Sequence, residues 1–208
     1  MTAPRPAPQE SLGDLTDLPT VTFGHRSLMW WGTLGFMVIE GWTLALIVMM
    51  YFYVRQNFLN WPPMRTPKPE VWPYPTINLA VILISIVPTY LADRASRRLD
   101  LGGVKLWLLV SALIALVIPV LRWYELWALN VRWDSNAYGS AAWLIVGTHA
   151  GLLLLDVADT VGIALFYWLR RMPIKAMSDV ADNSFYWYFM ALIWVPIYLI
   201  VYVGPYVF

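Results

Sequence analysis

No cysteine occurs in this chain of 208 residues, and histidine occurs only twice, at His25 and His149. The first absence excludes disulfides, thiolate catalysis, zinc ribbons and iron–sulfur clusters. The second removes almost as much. A haem held by two histidines would need both, yet His25 falls at the edge of the first apolar span, about 15 residues ahead of the acid at its centre, Glu40. A copper site made from several histidines, or from Cys, His and Met, cannot be assembled. Redox metal chemistry therefore does not reside in these side chains. Charge is scarce too: 13% of residues are Asp, Glu, Lys or Arg and the formal net charge is +1, against about 25% charged in a soluble domain. No basic cluster is available to track phosphates, so nucleic acid is not an expected partner. The chain shows no nucleophile–base pair, phosphate loop, SxxK or GxSxG, and Gly102–Gly103 reads as a turn. No catalytic, cofactor-binding or metal-ligating residue is assigned.

What the chain does have is apolar sequence, 60% hydrophobic and 16% aromatic. Five stretches, near 29–53, 76–93, 104–127, 139–169 and 184–207, are long enough for the ~20 helical residues that cross a bilayer. The reading is an all-α integral membrane bundle of five transmembrane helices over residues 25–208. Tyrosine and tryptophan gather near the span ends as interface anchors: Trp30 and Trp31, Tyr51 and Tyr53, Trp123 and Tyr124, Tyr167 and Trp168, Tyr186 to Tyr188. Residues 1–24 are polar, with proline and acid and no apolar run, which predicts a disordered or surface-lying tail rather than a signal peptide. The first connection, NWPPMRTPKPEVWPYP, holds six prolines and predicts a stiff, extended surface loop.

Lysine and arginine set the orientation. The tail and the second and fourth connections carry Arg5, Arg26, Arg94, Arg97, Arg98, Lys105, Arg170, Arg171 and Lys175; the opposite side carries Arg55, Arg65, Lys68, Arg122 and Arg132. The excess places the N-terminus in the cytoplasm and the C-terminus outside.

Polar groups at membrane depth are the candidates for function. A charge at the bilayer centre costs roughly 3 kcal/mol or more, so such residues face protein or water. Glu40 sits mid-span in GFMVIEGWTLALIVMMYFY, with Gly35 and Gly41 small enough for a helix to approach. It reads either as a proton-accessible carboxylate or as a buried acid hydrogen-bonded to a neighbouring helix. In the fourth span, at ~100° per residue, His149, Asp156 and Thr160 fall within roughly 40° of one another, with Asp159 to one side. Gly147, Ala150, Gly151, Ala158 and Gly162 accompany them, and because a lipid-facing pair of Asp would be too costly the span is predicted to pack against protein, with His149 and Asp156 in one buried network. A proton relay or ion site is one reading; interhelical bonds that fix packing are the other. Arg122, one turn before Glu125 in the third span, reads either as the neutraliser of a carboxylate or, the favoured reading, as a cation that snorkels to the interface.

The order of local patterns resembles subunit III of the haem-copper oxidases, the cytochrome c and quinol oxidases. WWGTLGFMVIEGWTLALIVMMYFYVR is similar to the family's span with a Trp-Gly start, a mid-helix acid and an aromatic exit to Arg, and Glu40 falls on that acid. NWPP resembles its Trp-Pro-Pro loop, INLAVILIS the next helix start, and RWYEL places Glu125 on an acidic residue at the end of the third span. DSNAYGSAAWLIVGTHAG matches an Asp-Ser, a Tyr-Gly-Ser and a Gly-x-His, with His149 on the first family histidine, and SFYWYFMALIWVPIYLIVY is similar to the closing helix. The resemblance runs over roughly 25–208 and fits the five-span form. Departures are also plain: the family's other histidines fall on Leu152, on Tyr188 and near Tyr90, and Asp156 and Asp159 have no family counterpart.

The resemblance implies a non-redox integral subunit of a terminal respiratory oxidase in a bacterial cytoplasmic membrane. Such a subunit carries no haem or copper itself. It packs on subunit I, which bears them, beside the electron-entry subunit II, binds phospholipid, and supports proton uptake while the complex reduces dioxygen to water and pumps protons. Two alternatives stand beside it: an accessory protein of nitric oxide reduction similar to subunit III, and an autonomous proton or ion transporter using Glu40, His149, Asp156 and Asp159. Against the transporter, the halves show no inverted repeat and no paired broken helices.

Overall fold

A computed structural model describes residues 21–170 and 173–207. The expected tail therefore lies, over residues 1–20, outside the described residues. Five long helices follow in order: α1 Leu28–Arg55, α2 Tyr74–Arg97, α3 Leu101–Trp127, α4 Ala137–Leu169 and α5 Met177–Tyr198. A π-helical turn, Leu199–Val203, and a last short helix, α6 Gly204–Val207, continue α5 beyond Pro196. All five are long and apolar enough to cross a membrane, and no strand occurs among the described residues. The fifth begins at Met177, earlier than the apolar run alone suggested, because the polar stretch Asp182–Ser184 is buried and partly hydrogen-bonded inside the bundle.

The helix ends are built by short polar devices. Asp100 caps α3 by accepting from the Gly103 amide at 3.1 Å, and Asn136 caps α4 by accepting from the Gly139 amide at 2.8 Å. The Asn136 amide nitrogen also donates to Thr66 Oγ1 at 2.9 Å, fastening the first connection to the start of α4. A Cβ on Gly139 would lie 2.3 Å from the Arg132 carbonyl oxygen, so the close approach there admits only glycine.

That first connection is not simply a surface loop. Trp61, Pro62 and Pro69 are buried, and the Glu70 amide donates to the Ala128 carbonyl at 2.7 Å. Trp61 meets Tyr51 and Tyr138 edge-on, with ring centroids 5.4 and 5.2 Å away. Large apolar rings leave water this way, while bends over residues 59–62 and turns at 64–65 and 72–73 fold the connection rather than extend it.

α5 is the most enclosed span and α1 the most exposed: half of the α5 apolar window is buried within the chain (50%), against 11% for α1. α2 packs on α3 and α5, α3 on α4, and α1 leans on α4 and α5. Several aromatic anchors prove to be core groups. Tyr51, Tyr167 and Trp187 are buried, with the Tyr167 hydroxyl donating to the Ala176 carbonyl at 2.8 Å and Trp187 Nε1 to Ser85 Oγ at 2.8 Å. Trp31, Tyr53, Trp123, Tyr124 and Trp168 remain exposed. α4 packs on α1, α3 and α5, but not through its glycines, since a Cβ on Gly147, Gly151 or Gly162 would meet no other residue within 4 Å. Only Gly41 of the α1 pair approaches a neighbour, the Phe189 ring at 3.4 Å.

Candidate functional site

The buried polar residues singled out from the sequence fall into two groups at different heights, each drawing a member from α4. The first lies in the half of the bundle where α3 ends. Arg122 is 3% exposed, so it does not snorkel. Its Nη1 lies 2.9 Å from Glu125 Oε2, and its guanidinium carbon sits 3.7 Å from the centroid of the Trp194 ring. Spacing of three residues on a helix puts Arg122 and Glu125 on one face. Glu125 Oε2 also accepts from Asn78 Nδ2 on α2 at 2.5 Å, and the Tyr202 hydroxyl donates to the Glu125 carbonyl at 3.2 Å.

His149 completes this group. Arg122 Nη2 lies 3.3 Å from His149 Nδ1, and His149 Nε2 lies 3.1 Å from the Met190 carbonyl. A guanidinium has no acceptor and a carbonyl no donor, so Nδ1 accepts and Nε2–H donates. The hydrogen bonds thus fix one tautomer and engage both ring nitrogens. The imidazole also tilts against Trp194, centroids 4.5 Å apart. Arginine, glutamate, histidine and indole form one charge-compensated cluster linking α2, α3, α4 and α5.

The second group lies in the opposite half, between α1, α4 and α5. Glu40 is 5% exposed; its Oε2 accepts from the Tyr186 hydroxyl on α5 at 2.5 Å, and its Oε1 has no partner. Thr160 is buried and donates to Asn183 Oδ1 at 3.3 Å, while Asn183 Nδ2 donates to Thr160 Oγ1 at 3.1 Å and to Asp159 Oδ2 at 3.2 Å. Asp159 itself is exposed. Asp156 is 2% exposed and neither carboxylate oxygen has a hydrogen-bond partner. His149 and Asp156 share a buried face of α4, but no hydrogen bond joins them among the described residues. The single network expected of them is two, because His149 turns to Arg122 and Met190, and Asp156 is left to the second group.

Asn78, Trp194, Tyr202, Asp182 and Asn183 were not singled out from the sequence, and Tyr186 was read only as an interface anchor. A polar residue opening INLAVILIS could have flagged Asn78. The aromatic residues of α5 carry no such signal, since interface anchors and core donors look alike in sequence.

Among the described residues no three of His, Cys, Asp and Glu lie close enough to hold a metal ion. Fold and polar groups together describe a polytopic helical membrane protein whose one buried histidine is committed to packing partners. Comparison with known proteins narrows that class. Over 188 residues, 86% of this chain and 77% of the relative, the sequence is 24% identical to "Cytochrome c oxidase subunit 3" of Synechocystis sp.. It is 23% identical over 176 residues to the protein of that name from Thermostichus vulcanus, covering 83% of this chain and 85% of that one. It is 27% identical over 181 residues to "Probable cytochrome c oxidase subunit 3" of Mycobacterium bovis, covering 82% and 85%. No protein-family model matches. The chain is thus similar, at 23–27% identity over most of its length, to several proteins named cytochrome c oxidase subunit 3.

Proposed function

We propose that this chain is a non-redox integral subunit of a terminal respiratory oxidase. It packs on the haem- and copper-bearing subunit beside the electron-entry subunit, contacts phospholipid, and supports assembly and proton uptake. The supporting observation is the similarity to several cytochrome c oxidase subunit 3 proteins over most of this chain and most of theirs. The residue inventory agrees: there is no cysteine, and of the two histidines one has both nitrogens occupied. The complex would reduce dioxygen to water and pump protons, while this chain lends framework rather than electrons. Its setting would be a bacterial cytoplasmic membrane, N-terminus inside, as the Lys/Arg asymmetry favours.

In this reading Arg122, Glu125 and His149 are framework residues, joining four helices through groups that compensate one another. Glu40, Asp156, Asp159 and Thr160 belong to the more open half, where carboxylates outnumber donors.

Purification of the tagged full-length chain in mild detergent tests the proposal. Haem absorption with a co-purifying polytopic, histidine-rich subunit is the expected result. A colourless chain, intact and alone, would overturn it and turn attention to proton flux in liposomes, compared with Glu40→Gln.

A further inference from the structure

Asp156 is buried on α4 with both carboxylate oxygens unpartnered, a state that carries a full desolvation cost. It lines a cavity of about 590 Å³ between α1, α4 and α5, at the end of the bundle where α1 begins. Asp159, Asp179, Asp182 and Tyr186 line the same cavity, and no Lys, Arg or His does so among the described residues. The Tyr186 hydroxyl donates to Glu40 Oε2 on α1 at 2.5 Å. The charged neighbours that act on Asp156 are Asp159 and Glu40, and Tyr186 in turn feels both Glu40 and Asp156. Glu40 itself does not line the cavity, so the phenol stands between the cavity and that acid.

A phenol in that position is more than a wall. Its oxygen can accept one proton while its O–H gives up another, so a proton crosses without leaving charge on the ring. No hydrogen bond joins Asp156 to Tyr186. They meet across a cavity with room for several waters at ~30 Å³ each, and one water is enough to carry a proton between two such groups. Beyond Glu40 the bundle offers no continuation. In the other half Arg122, Glu125 and His149 are held by one another, by Asn78 and by the Met190 carbonyl, and a buried guanidinium repels a proton.

We propose that Asp156 and Tyr186 form a one-sided proton route to Glu40, filled from the end of the bundle where α1 begins and closed at Glu40. Asp156 passes its proton through cavity water to the Tyr186 oxygen as the Tyr186 hydroxyl proton moves to Glu40 Oε2. The tyrosine ends neutral. Asp156, left as a carboxylate, is reprotonated from water past the exposed Asp159 and Asp179. Glu40 is then a store for a proton and not a step in a transmembrane path. The inference rests on the cavity and its acids, not on the oxidase reading, so either can fail alone.

The test uses the full-length chain in lipid vesicles, inserted in one known orientation. The pH is dropped rapidly on one face at a time. Protonation of Glu40 is followed by its infrared carboxyl band, identified as the band that Glu40→Gln lacks. A drop on the face where α1 begins is expected to protonate Glu40 directly, and a drop on the other face only after protons have leaked across. Asp156→Asn and Tyr186→Phe should each slow the signal roughly a hundredfold, the low end of what a positioned acid–base group contributes. Asp156→Glu should restore it. An equally fast response of the parent chain to either face, which no misfolded variant can confuse, overturns the proposal. So does a Glu40 that takes up no proton, or one that takes it up as fast in both variants as in the parent.

Discussion

Glu125→Gln should cost this protein more stability than any other single uncharging of an acid. The carboxylate is fully buried (0% side-chain exposure), its Arg122 partner is 4% exposed, and the two lie 2.9 Å apart. At an effective dielectric of ~20 a pair at that separation attracts by about 6 kcal/mol, offset in the parent by the desolvation of both ions. Glutamine keeps the shape and an acceptor for Asn78 but leaves the guanidinium buried and uncompensated. Removing one partner of such a pair costs about 3–5 kcal/mol, or roughly 6–20 °C in melting temperature for a chain of this size. The assay is thermal unfolding in detergent, followed by tryptophan emission. The double variant Arg122→Met/Glu125→Leu, with neither charge left, should melt above Glu125→Gln, although His149 then loses the donor to its Nδ1. A Glu125→Gln protein that melts with the parent, or a double variant that melts below it, would refute the argument that the cluster is held by charge compensation.

Gly139→Ala should destabilise by about 1–3 kcal/mol, since the added methyl meets a backbone carbonyl that cannot swing aside. Gly151→Ala, with nothing within 4 Å of its Cβ, should be neutral or gain about 0.5–1 kcal/mol of helix propensity; paired melting curves check both. Because the parent has no cysteine, single cysteines report orientation directly. Leu59→Cys, in the exposed first connection, should react with an impermeant maleimide from outside intact cells, and Ile174→Cys, between α4 and α5, only after the membrane is opened. The opposite pattern would invert the topology.

The spans were legible because a bilayer imposes length and apolarity on any helix that crosses it, and both are written residue by residue. Glu40, His149, Asp156, Thr160, Arg122 and Glu125 were legible as candidates for the same reason: a polar side chain in such a run is conspicuous. Their partners were not. Arg122 could snorkel or pair, and only the placement of α5 decides, by setting Trp194 over the guanidinium and the Met190 carbonyl against His149. Periodicity put His149 and Asp156 on one face, and both are buried there. A shared face is not a shared network, because residues about two turns apart on a helix can meet different neighbours. The start of α5 was hidden because Asp182, Asn183 and Ser184 read as the exterior; Thr160, Asp159 and the Val180 carbonyl satisfy Asn183 and Ser184, while Asp182 Oδ2 has no partner.

The two polar groups obey opposite electrostatic rules, and that contrast separates folding from assembly. Around Arg122 the charges compensate inside the chain, although Arg122 Nε, Glu125 Oε1 and Asn78 Oδ1 find no hydrogen-bond partner there, and damage should appear as lost stability of the isolated subunit. Around Asp156 the acids outnumber the donors the chain supplies, so the cost of burying them stands until a cation or proton arrives from elsewhere. Substitutions that neutralise the second group, Asp156→Asn or Asp182→Asn, should therefore leave the isolated chain as stable as the parent or more so. Their penalty should appear only where a neighbour contributes, in the turnover of an assembled complex. A melting temperature that falls in Asp156→Asn as steeply as in Glu125→Gln would show that the acid is satisfied within the chain, and the distinction between the two groups would be lost.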